Sequence, residues 1–194
     1  TDVELDIYNF TIESGIRNYT AKTELSYQPN PEHLLKFGAD YINHTFTPNT
    51  YSAISGSVTM NVQTPGIYYA NEACVYALDE FDIGKRFKFN IGVRASYFEH
   101  IGPFKSFTLD ELGRVTDSII YKKGERIKPY WGIEPRLSLR ISIDSMTSIK
   151  ASYTHNYQYI HQVALSTISL PTDAWIPCNA LVKPQIGNQY AIGV

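Results

Sequence analysis

No run of about 18 apolar residues occurs in the 194-residue sequence, so no transmembrane helix is expected. Residues 1–10, TDVELDIYNF, lack the basic start and apolar core of a secretory leader. An exported protein needs such a leader, so the sequence, if exported, is expected to be mature or internal. Cysteine is scarce. Cys74 lies in a strand-like stretch and Cys178 in a proline-rich loop; two thiols make no metal set, and the sequence leaves a disulfide between them open but unsupported. Charged residues are 19% of the chain, below the ~25% of soluble domains. Lys and Arg number 17 against 19 Asp and Glu, which excludes the basic surface that nucleic acid requires. His33, His44, His100, His155 and His161 are scattered, and no pair has the close spacing of a metal site. No catalytic constellation emerges, so neither an enzyme nor a cofactor is expected.

What the chain does have is long alternation with period two. In residues 129–143, Trp131, Ile133, Pro135, Leu137, Leu139, Ile141 and Ile143 share one strand face. Tyr130, Gly132, Glu134, Arg136, Ser138, Arg140 and Ser142 share the other. Residues 144–147 supply a turn. The return strand sets Ile149, Ala151, Tyr153, His155, Tyr157 and Tyr159 against Ser148, Lys150, Ser152, Thr154, Asn156 and Gln158. Comparable strands are read at 15–28, 33–47, 67–81 and 86–98, with a further one entered at 185. Residues 1–11 read as an extended segment. In 86–98, Phe87, Phe89, Ile91, Val93, Ala95 and Tyr97 face away from Lys88, Asn90, Gly92, Arg94 and Ser96. Asp79 is the exception on the apolar face of 67–81.

The connections alternate in length. Residues 29–32, 82–85 and 144–147 are short; 48–66, 99–128 and 161–183 are long. A β-excursion around Leu112 and Gly113 and a smaller one at 57–62 are expected inside the long ones. Mean hydropathy is −0.22, which is no objection, because only alternate residues of a barrel face lipid. Apolar-out, polar-in strands with aromatic ends, short turns at one end and long loops at the other describe an outer-membrane barrel. A soluble sandwich does not segregate loop length this way, and structureless loops beyond ~12–15 residues are uncommon in compact domains. The fold class expected is all-β: an antiparallel meander of about seven long strands, part of a large transmembrane β-barrel. An odd count with unblunted first and last strands cannot close in lipid.

Four stretches carry a family resemblance: 27–49 (YQPNPEHLLKFGADYINHTFTPN), 76–98 (YALDEFDIGKRFKFNIGVRASYF), 130–161 and 169–194 (SLPTDAWIPCNALVKPQIGNQYAIGV). The sequence resembles the barrel part of a TonB-dependent outer-membrane receptor, of the group with carboxypeptidase-like-domain and starch-utilisation-type receptors. The resemblance implies a 22-stranded barrel enclosing a plug domain and energised through the TonB complex. It implies a bacterial outer-membrane location, with outer-membrane lipid as surroundings. It also implies import of a scarce nutrient (siderophore, glycan, peptide or cofactor), with room for a surface lipoprotein partner. Residues 1–194 are then a partial barrel domain, without plug, TonB box or closing C-terminal strand. The rivals are a passive porin or structural barrel, and a soluble β-rich binding domain.

No substrate-binding residue is assigned. Glu134, Arg136, Arg140, Lys88, Arg94, Glu24, Lys22, Lys36 and Asp40 are expected on the lumen face. There they either contact substrate or plug, or form a charge network that keeps the wall solvated. Trp175, beside Asp173 and Cys178, either stacks on a ring ligand or packs its loop. Leu139 is expected outward near mid-bilayer. The loop pattern predicts topology: cysteines placed at Ser57 and Thr116 should be labelled on intact cells and one at Ser145 should not. Labelling at Ser145 alone inverts the model.

Overall fold

The computed structural model describes residues 9–55, 58–61, 66–163 and 174–194. The expectations for residues 1–8 and for Asp173 lie outside the described residues. The described residues form twelve strands: β1 (Asn9–Asn30), β2 (His33–Ser55), β3 (Val58–Asn61), β4 (Tyr68–Ile83), β5 (Phe87–Ile101), β6 (Phe104–Leu109), β7 (Val115–Tyr121), β8 (Arg126–Ser142), β9 (Ser148–Gln158), β10 (Ile160–Val163), β11 (Ala174–Pro177) and β12 (Gln185–Gly193). The long strands form one antiparallel meander in the order β1-β2-β4-β5-β8-β9-β12. Within this sheet β1 and β12 are the edges; they do not pair with each other. The expected fold class is therefore seen: an all-β antiparallel meander of seven long strands.

The long connections are more ordered than their composition suggested. The first continues the β1–β2 ladder to Asn9 opposite Ile54, and β3 then pairs back on β2. The second holds the β6–β7 hairpin, whose turn is fixed by Gly113 at φ +76°, a conformation other residues rarely adopt. The third contributes the β10–β11 hairpin.

Each short turn closes by a different local device. In the first, the Asn30 side-chain oxygen accepts from the backbone N–H groups of Glu32 and His33, at 3.0 and 2.9 Å. In the second, Gly84 supplies φ +62°. In the third, Asp144 Oδ1 accepts from the N–H groups of Met146 and Thr147, both at 2.8 Å.

Register puts like with like. Tyr41, Ala73, Tyr97 and Trp131 are successive neighbours across β2, β4, β5 and β8. One row below run Ala39, Val75, Ala95 and Ile133, and two rows below that Leu35, Asp79, Ile91 and Leu137. This face is apolar and open: Val75 is 60% exposed, Ile133 60% and Trp131 74%. The Tyr97 and Trp131 rings meet at 4.4 Å, and Phe81 and Phe89 stack at 5.1 Å near the opposite end. From Phe87 to Tyr97 the chain advances ten residues. That is about 34 Å along the strand and, at a ~40° tilt, a height of about 26 Å, close to the ~25 Å apolar band of an outer-membrane barrel. Its midpoint falls between Ile91 and Val93. Leu139 faces outward as expected, but it pairs with Phe89 and so lies toward the short-turn end rather than at the middle.

Asp79 stays on the apolar face and is answered there. His33 Nδ1 is 2.9 Å from Asp79 Oδ2, and the His33 ring stacks on Phe81 at 5.2 Å. His33 is the first residue of β2 and reaches Asp79 from the short-turn end, while Asp79 itself stands opposite Ile91, near the middle of the band.

Two predictions follow from turn and band. Val93→Arg should destabilise the full barrel by roughly 2–4 kcal/mol and Leu139→Arg by less, since the cost of arginine falls toward the interface. Unfolding from lipid vesicles measures both, and equal costs contradict the band. The two N–H donors of Met146 and Thr147 hold the Asp144 carboxyl below its usual range. A depressed folded pKa stabilises above the unfolded pKa, and that contribution is lost as pH falls through the folded value. Asp144→Ala should remove this acid-side slope from the unfolding midpoint; an unchanged slope rules Asp144 out as its source.

Candidate functional site

The polar face carries a continuous chain of side-chain contacts from β1 to β9. His44 Nδ1 lies 2.9 Å from Asn18 Oδ1, and His44 Nε2 lies 3.6 Å from Glu72 Oε2. Arg94 Nη2 donates to Glu72 Oε1 at 3.2 Å, and its Nε is 4.0 Å from Glu134 Oε1. Arg136 Nη2 is 3.9 Å from Glu134 Oε2 and 3.5 Å from Asn156 Oδ1. Acid and base alternate along it, so the charges compensate one another. Glu134 is only 4% exposed and Ser96 1%. Ser96 Oγ lies 2.7 Å from both Glu134 Oε1 and the Tyr159 hydroxyl. A buried carboxylate is tolerated here because its oxygens are taken up by a hydroxyl and two guanidinium groups.

Toward β1 the same face holds further pairs. Lys36 Nζ donates to Glu80 at 3.1 Å. The Tyr76 hydroxyl donates to Glu24, and the Lys22 ammonium lies 5.9 Å from the Tyr76 ring centre. Cys74 Sγ is 3.5 Å from Asp40 Oδ2.

At the long-loop end the face turns aromatic. Phe46, Ala70, Phe98, Tyr159 and Cys178 form a buried cluster, flanked by Tyr68, Tyr130, Tyr157 and Ile160. Phe98 and Tyr159 stack at 5.0 Å with planes 4° apart. Tyr159 and Cys178 belong to the β10–β11 connection, so this loop folds back onto the polar face. It is held by Tyr130 Oη donating to the Asn179 carbonyl at 2.7 Å, and by Tyr159 on Ser96. Asn179 Oδ1 accepts from the N–H groups of Leu181 and Val182, at 2.9 and 3.0 Å, closing the local turn.

Glycines make room for the tyrosines. A Cβ on Gly132 would lie 2.6 Å from the Tyr157 ring, 2.7 Å from the Tyr159 hydroxyl and 2.8 Å from Ser96 Oγ. A Cβ on Gly38 would meet the Tyr76 ring at 2.2 Å. This corrects one sequence expectation: alternation assigned Tyr157 and Tyr159 to the apolar face, yet both rings lie over Gly132 beside Ser96. The β8–β9 ladder ends at Arg136 and Thr154, and the side-chain-free Gly132 leaves the space on that face that both rings fill.

The structure brings together Glu134, Arg136 and Arg94, as the sequence reading placed them. Arg140 and Lys88 share their face, but ion pairs reach neither among the described residues. Trp175 is 37% exposed on β11 and makes no ring stack among the described residues. Cys178 and Cys74 are free thiols. Cys178 lies 3.1 Å from His161 Nε2, and burial pushes its pKa up to about 12. His155 Nδ1 meets Asn188 Oδ1 at 2.8 Å. His100 is buried beside Tyr68 and Phe104, and among the described residues neither ring nitrogen has a hydrogen-bond partner. Sequence reading missed the loop docking; the one available signal was the aromatic run of Tyr153, Tyr157 and Tyr159 next to Gly132 on the neighbouring strand.

An exposed apolar face, an aromatic margin and a charge-compensated polar face in one tilted meander define the wall of an outer-membrane β-barrel, with the polar face toward the lumen. The family model described as TonB dependent receptor-like, beta-barrel, matches residues 3–194, and the chain belongs to that family. No curated protein and no solved structure matches it. The family is one of bacterial outer-membrane receptors, transporters rather than enzymes.

Gly132→Ala should push the Tyr159 hydroxyl off Ser96 and loosen the β10–β11 loop, at about 1–3 kcal/mol for an overpacked site. Faster protease cleavage in that loop, with the barrel intact, is the expected outcome; unchanged cleavage shows that the loop is held elsewhere. Glu134→Ala should cost about 1–3 kcal/mol, because Ser96, Arg94 and Arg136 lose a shared buried acceptor. Denaturant unfolding in lipid checks it, and a neutral result removes Glu134 from the network's centre.

Proposed function

We propose that this wall is part of an importer of the TonB-dependent kind, drawing a scarce nutrient through the outer membrane with inner-membrane energy. The observation that carries the reading is the pairing of a docked aromatic loop at one lumen mouth with a self-compensated polar wall beneath it. A passive pore needs only the polar wall. The loop docked on Phe98, Tyr130 and Tyr159 narrows the mouth, a constriction suited to a solute that must be held before it passes. The nutrient is a siderophore, glycan, peptide or cofactor. The carboxypeptidase-like-domain and starch-utilisation-type group is the proposed subgroup, with a surface lipoprotein as a candidate partner.

Both edges of the sheet, β1 and β12, carry free backbone groups. Each unsatisfied group costs several kcal/mol in hydrocarbon. Residues 1–194 are accordingly read as one arc of a larger closed barrel, its lumen filled by a plug domain.

The test is uptake by cells carrying the complete receptor. Loss of the receptor and loss of TonB should each abolish high-affinity accumulation of the same nutrient from dilute medium. Uptake that survives loss of TonB, together with solute flux through receptor-loaded liposomes, establishes the passive pore instead.

A further inference from the structure

The lumen wall is not compensated at every level. Nearer the short turns, Lys88 on β5, Arg140 on β8 and Lys150 on β9 are direct cross-strand neighbours on the polar face. None of the three makes an ion pair or hydrogen bond among the described residues. Asp82 stands opposite Lys88 on β4 without pairing with it, and Glu80, one register step away, is occupied by Lys36. Directly opposed like charges destabilise a sheet unless something answers them. The contrast is with the rows nearer the long loops, where Glu72, Arg94, Glu134 and Arg136 answer one another.

The three cations line a recess of about 460 Å³ whose other polar walls are Asn90, Ser138 and Ser152. The six side chains occupy two successive rows of the polar face, so the recess opens to the lumen. Adjacent strands lie ~4.8 Å apart, so the outer two cations are about 10 Å from each other. One oxyanion bridges two of them; all three need a ligand with more than one. Arginine offers a planar fork to such a group, the lysines offer point charges, and Asn90 with the two serines supplies neutral donors.

We propose that Lys88, Arg140 and Lys150, with Asn90, Ser138 and Ser152, form a binding site for a multivalent oxyanion on the lumen wall near the short-turn mouth. The oxyanions come either from clustered carboxylates of the domain that fills the lumen or from a free anionic solute. The site follows from the wall's own charges and holds whichever nutrient the receptor imports.

The complete receptor, purified in detergent, is titrated with inorganic pyrophosphate by calorimetry, beside a K88Q/R140Q/K150Q variant. Thermal unfolding of both is followed across a salt series. Saturable pyrophosphate binding that weakens at least tenfold in the variant supports the site with a free-solute source. No pyrophosphate binding to the native receptor, together with a lower unfolding midpoint and a flatter salt dependence in the variant, supports the site with carboxylates of the lumen-filling domain already in it. No binding, and midpoints and salt dependence that match between the two proteins, overturns the proposal. The replaced positions are exposed on the wall, and a K88R/K150R variant, which keeps the charge, should behave as the native receptor does.

Discussion

Every backbone N–H and C=O that faces hydrocarbon must find a partner within the protein, and the rest of this structure depends on that demand. It explains why the seven long strands form one continuous ladder from β1 to β12, while the two-stranded β6–β7 and β10–β11 sheets are confined to the long connections. It explains why proline is so sparing in the spanning strands. Pro135 sits in β8 where the β8–β9 ladder ends, pairing toward Val93 on the other side. A residue without an N–H is tolerated where one neighbour has already left.

Side-chain faces follow from the ladder. Once register is fixed, period two sorts every residue, which is why the outward set from Phe87 to Tyr97 and the inward set from Lys88 to Ser96 were legible in the sequence. The meander order was legible too, because short connections force antiparallel neighbours. Three things were not. The Ser, Thr and Asn of residues 48–66 hid the continuation of the β1–β2 ladder, since strands outside the bilayer need no apolar face. The docking of the β10–β11 loop depends on long-range contacts such as Tyr130 with Asn179, which no local pattern encodes. The pairing of His33 with Asp79 joins residues far apart in sequence, so Asp79 alone looked like an error in the alternation.

The lumen site was legible only as composition. Sequence alternation put Glu134, Arg136, Arg94, Lys88 and Arg140 on one face, but it could not say who answers whom. Register decides that. Arg94 falls opposite Glu134, and Lys88 falls opposite Arg140. Two rows of the same wall thereby differ in electrostatic character: one sets arginine against glutamate, the other arginine against lysine.

Burial sharpens the difference. Glu134 and Ser96 lie under the docked loop, where the dielectric is low and an unanswered charge is expensive. Compensation there is a condition of folding. Lys88, Arg140 and Lys150 lie open to lumen water, where screening makes three unpaired cations cheap enough to keep. Folding therefore constrains the upper row tightly and the lower row hardly at all. A charge pattern that folding does not require is free to serve whatever occupies the lumen.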